Sequence, residues 1–122
     1  FLDDDFDIVI INHVLEHVED DHKCMTELHR IMNSGGWGIF QVPIDTSRAE
    51  TYEDASITSP EEREKHFWQY DHVRLYGLDY PKKLEAAGFE VEVYDYHRDM
   101  PKEQYEKYRF HADELLYIVK KK

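Results

Sequence analysis

Residues 6–44 read FDIVIINHVLEHVEDDHKCMTELHRIMNSGGWGIFQVPI, and this stretch decides the fold class of the protein. It opens with residues 6–12, a short and nearly unbroken apolar run that is rich in Ile and Val. Such a run is typical of a strand that is buried on both faces of a parallel sheet. We therefore expect a central strand over residues 6–12 and a turn over residues 13–19.

A helix and a second strand are predicted after this turn. Apolar side chains recur at helical spacing in residues 20–33, and Asp20 or Asp21 is placed to cap the start of this segment. Residues 34–36, Ser-Gly-Gly, are expected to end the helix, because glycine takes a left-handed conformation without steric cost. A second strand over residues 37–42 completes the order strand, helix, strand, which predicts the right-handed crossover of an α/β fold.

Residues 44–77 are polar in composition and predict an inserted surface segment, acting as a cap or as part of a substrate pocket. Residues 59–62, Ser-Pro-Glu-Glu, form a capping box that opens a short helix. Residues 67–77, FWQYDHVRLYG, then place five aromatic or histidine side chains close together. These side chains form either a lid over a substrate or a satellite hydrophobic cluster under a long loop.

The remainder of the chain continues the alternation of helices and strands. Its apolar phase slips near Tyr94 and Tyr96, which indicates a bulge or the end of a strand. The predicted elements are a helix over residues 79–87 with Gly88 as its stop, a strand over 89–93, a short helix over 101–108, and a last, interior strand over 114–119.

Composition limits the size of the fold and the classes of partner. The chain has 122 residues and 41% hydrophobic content, which suits one domain with one core. Its net charge of −12 opposes binding to a phosphate backbone, so nucleic acid is not expected as a partner. No apolar run approaches the roughly 20 residues of a membrane span, and no leader precedes the first strand. The protein is therefore expected to be soluble. Its only cysteine, Cys24, excludes an internal disulfide and fits a reducing cytoplasm.

The pattern of residues 6–44 resembles the second half of the class I S-adenosylmethionine-dependent methyltransferases of the methyltransferase-domain type. The shared features are a strand with a polar end, a V-L-E-H-V turn, an acidic-capped helix that ends in E-L-x-R-x-M, a G-G pair and a second strand. Residues 76–93, YGLDYPKKLEAAGFEVEV, are similar to the stretch before that family's penultimate strand. The two stretches cover about half of the chain, and the first is the more specific.

This resemblance implies a partial Rossmann-like methyltransferase fold, in which residues 1–122 are the C-terminal half of one domain. The family's sheet order is 3-2-1-4-5-7-6 with strand seven antiparallel, so the chain would supply strands four to seven of a mostly parallel sheet. Residues 89–93 would be strand six, and residues 114–119 would be strand seven, between five and six. The family's glycine-rich loop and its acidic ribose contact precede strand four, so the chain is expected to bind cofactor weakly. The open edge of strand four would favour a homodimer.

The resemblance further implies S-adenosylmethionine as the cofactor and transfer of its methyl group to a small-molecule acceptor. Ligands of open α/β sheets bind at the carboxyl ends of the strands, where the turn over residues 12–15 lies. By position, Asn12 and His13 would offer polar contacts to the cofactor, and Val14 or Leu15 an apolar wall. The alternative is ordinary strand termination.

Methyl transfer from a sulfonium is an in-line displacement at an activated carbon, so positioning can supply most of the catalysis. A base is needed only where the acceptor carries a proton. His13, His72 and Tyr76 are the candidates for that base. Glu16 and His17 are interpreted instead as residues that fix the turn.

Two alternatives complete the hypotheses. His13 and His17 are four residues apart, with His22 and Cys24 nearby, but no third ligand at fixed geometry is visible, so no metal site is expected. The second alternative is a non-catalytic α/β half-domain that acts as a protein-interaction module through its open edge strand. The sequence leaves the methyl acceptor and the methylated atom undetermined.

Overall fold

The structure, a computed structural model, describes residues 1–109 and 115–122, and it combines a four-stranded sheet with a two-stranded one. In chain order the elements are β1 (Phe6–Asn12), a short 3-10 helix (Leu15–His17), α1 (Asp21–Ile31), β2 (Met32–Gln41), β3 (Tyr52–Glu53), α2 (Pro60–Phe67), β4 (Arg74–Leu75), α3 (Tyr80–Ala86), β5 (Glu90–Asp95), α4 (Tyr96–Asp99), α5 (Lys102–Lys107) and β6 (Leu115–Lys120).

The strand order of the main sheet is β1-β2-β6-β5. β1 and β2 are parallel, and β6 is antiparallel to both of its neighbours, β2 and β5. This is the order four, five, seven, six that the family resemblance implies, so the predicted fold class is confirmed. The interior position of β6 agrees with its apolar sequence, and Tyr117 and Val119 on it are buried.

β1 lies at the edge of the sheet and pairs only with β2 in the described part of the chain. Val9 and Ile11 pack against the core, whereas Ile8 is 50% exposed and Ile10 is 64% exposed. The expectation of a central strand buried on both faces is therefore wrong for this chain. An apolar run shows that both faces favour burial, but it does not show which elements cover them.

The two glycines after α1 shape a bulge in β2 rather than the end of the helix. α1 is capped by Asp20, whose carboxylate accepts from the backbone N–H of Lys23, but it already ends at Ile31. The register with β1 then shifts, since Phe6 is opposite Met32 and Ile8 is opposite Trp37. The intervening residues include Gly35 with φ +81° and Gly36 with no space for a Cβ.

Gly38 allows β1 and β2 to approach each other closely. A Cβ at this position would overlap the carbonyl oxygen of Val9 and would lie 3.0 Å from the ring of Phe40. We expect Gly38→Ala to lower the free energy of unfolding by about 2 kcal/mol, because the clash is with backbone of the partner strand. Urea denaturation followed by circular dichroism measures this. Ser34→Ala, at an exposed position of the same strand, should have little effect, and equal losses in both variants would contradict the prediction.

The segment over residues 44–77 contains its own secondary structure. β3 and β4 pair antiparallel, with α2 between them in the sequence. The side chain of Ser59 accepts from the backbone N–H of Glu62 at 3.2 Å, so the predicted start of a short helix is confirmed. An isolated bridge between Ile44 and Tyr76 joins the two ends of the segment. Its role as a cap or substrate segment stays a prediction.

The aromatic stretch after α2 divides between core and surface. Phe67 and Tyr76 are fully buried, whereas Trp68 is 49% exposed and Tyr70 is 63% exposed. Trp68 takes a left-handed backbone conformation, with φ 79°, at the end of α2. Phe67 and Tyr76 therefore pack inside the fold, whereas Trp68 and Tyr70 lie at the surface.

The C-terminal elements follow the predicted pattern with small shifts. α3 ends before Gly88, whose φ is +108°, as expected of a glycine stop. Asp79 does not cap α3 with its side chain, because its Oδ1 accepts from the hydroxyl of Thr51 at 2.6 Å. β5 extends to Asp95, α5 lies within the predicted 101–108 helix, and the predicted start of the last strand at Glu114 lies outside the described residues. In the described part of the chain, no helix has the length and apolar character needed to cross a membrane.

Candidate cofactor site at the end of the first strand

The turn after β1 leaves the sheet sharply at His13. Asn12 is the last residue of β1 and pairs with Gln41 of β2. His13 has a φ of 57°, which is uncommon for a residue with a Cβ, and its backbone N–H donates to the carbonyl of Gln41 at 2.9 Å. The turn is thus fixed at the carboxyl end of a parallel pair of strands, where open α/β sheets bind ligands.

The four residues assigned to cofactor binding divide by exposure. Asn12, His13 and Val14 are exposed, with Val14 at 41%. Leu15 is fully buried and belongs to the hydrophobic core. Of the two apolar candidates, only Val14 is therefore available to a ligand, because the turn directs Leu15 inward beneath it.

A small open cavity of about 150 Å³ lies beside the turn. His13 lines it together with Gln41, Pro43, Thr46 and Tyr117, among others. Pockets that enclose a whole cofactor or drug-sized ligand are typically about 300–1,000 Å³. The cavity is therefore large enough for only part of such a ligand.

Gln41 connects the strands that border this cavity. Its side-chain amide donates to the carbonyl of Leu115 at 2.9 Å and accepts from the backbone N–H of Tyr117 at 2.7 Å. These two bonds join the end of β2 to the start of β6. No local pattern in the sequence marks Gln41, because its partners lie more than 70 residues away along the chain.

Arg74 is a second residue that no local sequence pattern marks, and it bonds to the backbone of the turn. It is 2% exposed and donates to the backbone carbonyls of Leu15, Val18 and Glu19. It also forms an ion pair with Asp21, at 3.6 Å between Nε and Oδ2. A buried arginine that bonds to three carbonyls and to Glu53 adds to the backbone bonds of the short 3-10 helix in this turn.

Of the three candidate bases, only His13 lies at the cavity. Tyr76 is fully buried, and its hydroxyl donates to Oδ2 of Asp21 at 2.7 Å. Burial, reinforced by Asp21, raises the pKa of Tyr76 far above its ordinary value. His72 is 2% exposed and bonds through Nδ1 to the carbonyl of Phe67 at 2.9 Å. The base roles of all three stay predictions, and for His72 and Tyr76 the contacts are those of structural residues.

The structure brings Glu16, His17 and His72 together, with ligand atoms within 4.8 Å of one another. This grouping includes neither His22, which is exposed on α1, nor Cys24, which is half-buried. Spacing along the chain relates His13 to His17, but no local pattern relates either of them to His72, which joins from the far end of the inserted segment.

The comparisons with known proteins agree with this geometry. Residues 1–40, which contain β1, the turn, α1 and nearly all of β2, match the family described as a methyltransferase domain. The fold is that of a class I methyltransferase domain. The resemblance found in the sequence is confirmed. A comparison with curated protein sequences finds no match.

Solved structures with this methyltransferase fold cover nearly the whole chain. An S-adenosylmethionine-dependent methyltransferase from Mesorhizobium loti has a TM-score of 0.59 and 18% identity, over 96% of this chain and 62% of its own. A candidate methyltransferase from Bacillus halodurans has a TM-score of 0.59 and 19% identity, over 99% of this chain and 66% of its own. The (4+2)-cyclase SpnF has a TM-score of 0.59 and 16% identity, over 98% and 50%. The chain therefore spans two thirds or less of the length of these proteins.

Proposed function

We propose that this protein is a cytoplasmic S-adenosylmethionine-dependent methyltransferase that acts on a small-molecule acceptor. The observation that carries the proposal is the exposed polar turn at Asn12 and His13, at the carboxyl end of β1. This turn lies within residues 1–40, the part that matches the methyltransferase domain family. The position is the one where an open α/β sheet binds its ligand.

The exposed residues of the turn suit one side of a cofactor site, and His13 among them lines the cavity. Asn12 offers an amide and His13 an imidazole for polar contacts, and Val14 offers apolar surface. The bound cofactor would supply an activated methyl group on sulfur, and the residues of this chain would hold its position and exclude water. His13 is the one base candidate that also lines the cavity, so it is suited to accept a proton from the acceptor.

The acceptor is proposed to bind near the inserted segment. Trp68 and Tyr70 are exposed at the end of α2, and flat aromatic rings provide apolar area together with a polar edge. The net charge of −12 favours a small neutral or cationic acceptor over a polyanion.

Cofactor binding tests this proposal directly. Isothermal titration of the purified protein with S-adenosylhomocysteine should give weak binding, because the cavity covers only part of such a ligand. Asn12→Ala and His13→Ala should each weaken binding about fivefold, since each removes one hydrogen-bonding group. His22→Ala, at an exposed histidine of α1, should leave the affinity unchanged. Binding that none of these variants changes would contradict the assignment of the turn.

A second candidate function is a protein-interaction module that uses the open edge of β1. Ile8 and Ile10 on β1 and Trp37 on β2 are exposed, and an unpaired strand edge can add a strand from a partner or from a second copy. Fold alone does not determine reaction, as the cyclase SpnF illustrates. No binding of S-adenosylhomocysteine, together with dimers that form as protein concentration rises in sedimentation experiments, would favour this module over the enzyme.

A further inference from the structure

Glu16 is a buried carboxylate that lacks hydrogen-bond partners. It is 1% exposed, and neither Oε1 nor Oε2 has a partner among the described residues. An ionised carboxylate in such a position is strongly destabilised unless a cation or a proton compensates for it. The side chain therefore indicates that a positively charged species belongs beside it.

Three imidazoles surround this carboxylate without forming hydrogen bonds to it. Oε1 of Glu16 lies 3.5 Å from Nδ1 of His13, 3.6 Å from Nε2 of His17 and 4.0 Å from Nε2 of His72. The rings of His17 and His72 contact each other edge to face, with centroids 4.7 Å apart. The four side chains thus converge from the turn and from the inserted segment on one small volume.

The tautomers of two of these histidines follow from their other contacts. Nδ1 of His17 lies 3.2 Å from the carbonyl oxygen of Asp71, and Nδ1 of His72 lies 2.9 Å from that of Phe67. Because a carbonyl oxygen only accepts, each Nδ1 carries the hydrogen. In the neutral rings, each Nε2 is then an acceptor, and it lies 3.6 Å (His17) or 4.0 Å (His72) from Oε1 of Glu16, which is also an acceptor.

We propose that Glu16, His17 and His72, whose ligand atoms lie within 4.8 Å of one another, bind a divalent transition-metal cation. Ligands about 2.1 Å from a tetrahedral zinc ion lie about 3.4 Å from one another, and Oε1 of Glu16 lies 3.6 Å from Nε2 of His17 and 4.0 Å from Nε2 of His72. Histidine ligands of metals usually donate their second nitrogen to a backbone carbonyl or a carboxylate. His17 and His72 both have that arrangement.

The donor set selects the class of metal. Imidazole nitrogens with one carboxylate suit Zn²⁺ or Co²⁺, whereas Mg²⁺ and Ca²⁺ prefer sites made of oxygen ligands. The side chain of His17 is 32% exposed and that of His13 is 52% exposed, so an ion can enter from solvent. His13 also lines the candidate cofactor cavity, which places the ion next to that cavity.

Metal binding is measurable without any enzymatic activity, so the test does not depend on the proposed methyltransferase function. The purified protein is treated with a chelator, dialysed and titrated with ZnCl₂ by calorimetry and by thermal unfolding. We expect one ion per chain and a rise in Tm of about 10 °C at a hundredfold excess over Kd. MgCl₂ should produce neither effect.

Two variants and one control assign the ion to this cluster. Glu16→Gln keeps the shape of the side chain, and His17→Ala changes a partly exposed ring, so both should fold; each should weaken Zn²⁺ binding at least tenfold. His66→Ala removes a histidine that pairs with Glu62 on the surface, at 3.2 Å, and should bind as the wild type does. Co²⁺ titration should give visible absorption bands that the first two variants lose. Absence of Zn²⁺ binding, equal binding by all variants, or binding of Mg²⁺ alone would overturn the proposal.

Discussion

Replacing Arg74 by methionine is expected to lower the free energy of unfolding by about 3–5 kcal/mol. The guanidinium is 2% exposed and donates to the carbonyls of Leu15, Val18 and Glu19. Methionine fills a similar volume but leaves three carbonyls without a donor. The substitution also removes one of the two cations beside the carboxylate of Asp21 and the cation that pairs with Glu53. Urea denaturation at neutral pH, followed by circular dichroism, measures the loss.

A surface arginine provides the matched control. Arg48 is 44% exposed in its side chain and pairs with Asp45 at 3.4 Å. Arg48→Met should therefore lower the free energy of unfolding by less than about 1 kcal/mol. Arg74→Lys should restore little of the stability, because an ammonium group cannot reach the same three carbonyls. Similar stabilities for Arg74→Met and Arg48→Met would show that the turn does not depend on the buried guanidinium.

Asp21→Asn is expected to lower the free energy of unfolding by about 3 kcal/mol at neutral pH. The carboxylate accepts from the hydroxyl of Tyr76 at 2.7 Å and lies 3.4 Å from Nζ of Lys83 and 3.6 Å from Nε of Arg74. Asparagine removes the charge that compensates these two cations. If the asparagine amide were flipped, its N–H₂ group would face the cation of Lys83 or Arg74, and both groups are donors.

The loss should depend on pH in a defined direction. Burial raises the pKa of Asp21, but Tyr76, Arg74 and Lys83 together outweigh it and hold the pKa below the ordinary 3.8. A pKa lowered by folding contributes stability that is present above the unfolded value and is lost as pH falls through the folded value. The stability difference between wild type and Asp21→Asn should therefore be constant from pH 7 to 5 and should shrink below about pH 4.

Urea denaturation at pH 7, 5 and 3 checks this dependence. Asp5→Asn serves as the control, because Asp5 is exposed at the start of β1 and its substitution should change the curves little at any pH. A difference between wild type and Asp21→Asn that stays the same at pH 3 would contradict a lowered pKa in the folded protein.

The two predictions concern the support of the turn at Asn12 and His13, so they connect stability with the candidate site. Arg74 and Asp21 hold the backbone that directs His13 outward and Leu15 inward. Loosening this backbone should also separate Glu16 from His17 and His72. A variant that folds with a weakened turn would then lose both ligand sites together.

The sequence by itself determined the elements, their order and several of their ends. The alternation of strand and helix patterns, together with the family resemblance, predicted β6 between β2 and β5 before any contact was known. Asp20 and Ser59 cap their helices as predicted, because a cap bonds within three residues of itself. Helices, strands and caps can be predicted from the sequence because hydrophobic periodicity and capping depend on neighbours along the chain.

Only the tertiary structure decided what lies at and beneath the turn. Arg74 reaches Leu15 across 59 residues, and His72 joins Glu16 although no local pattern relates them. The sequence offered Val14 or Leu15 as an apolar wall of the cofactor site, and packing places the side chain of Leu15 in the core. A local pattern indicates which residues favour burial, but the partners of a buried charge depend on how a distant segment crosses over the sheet. For this protein, that crossing is made by the inserted segment between β2 and α3.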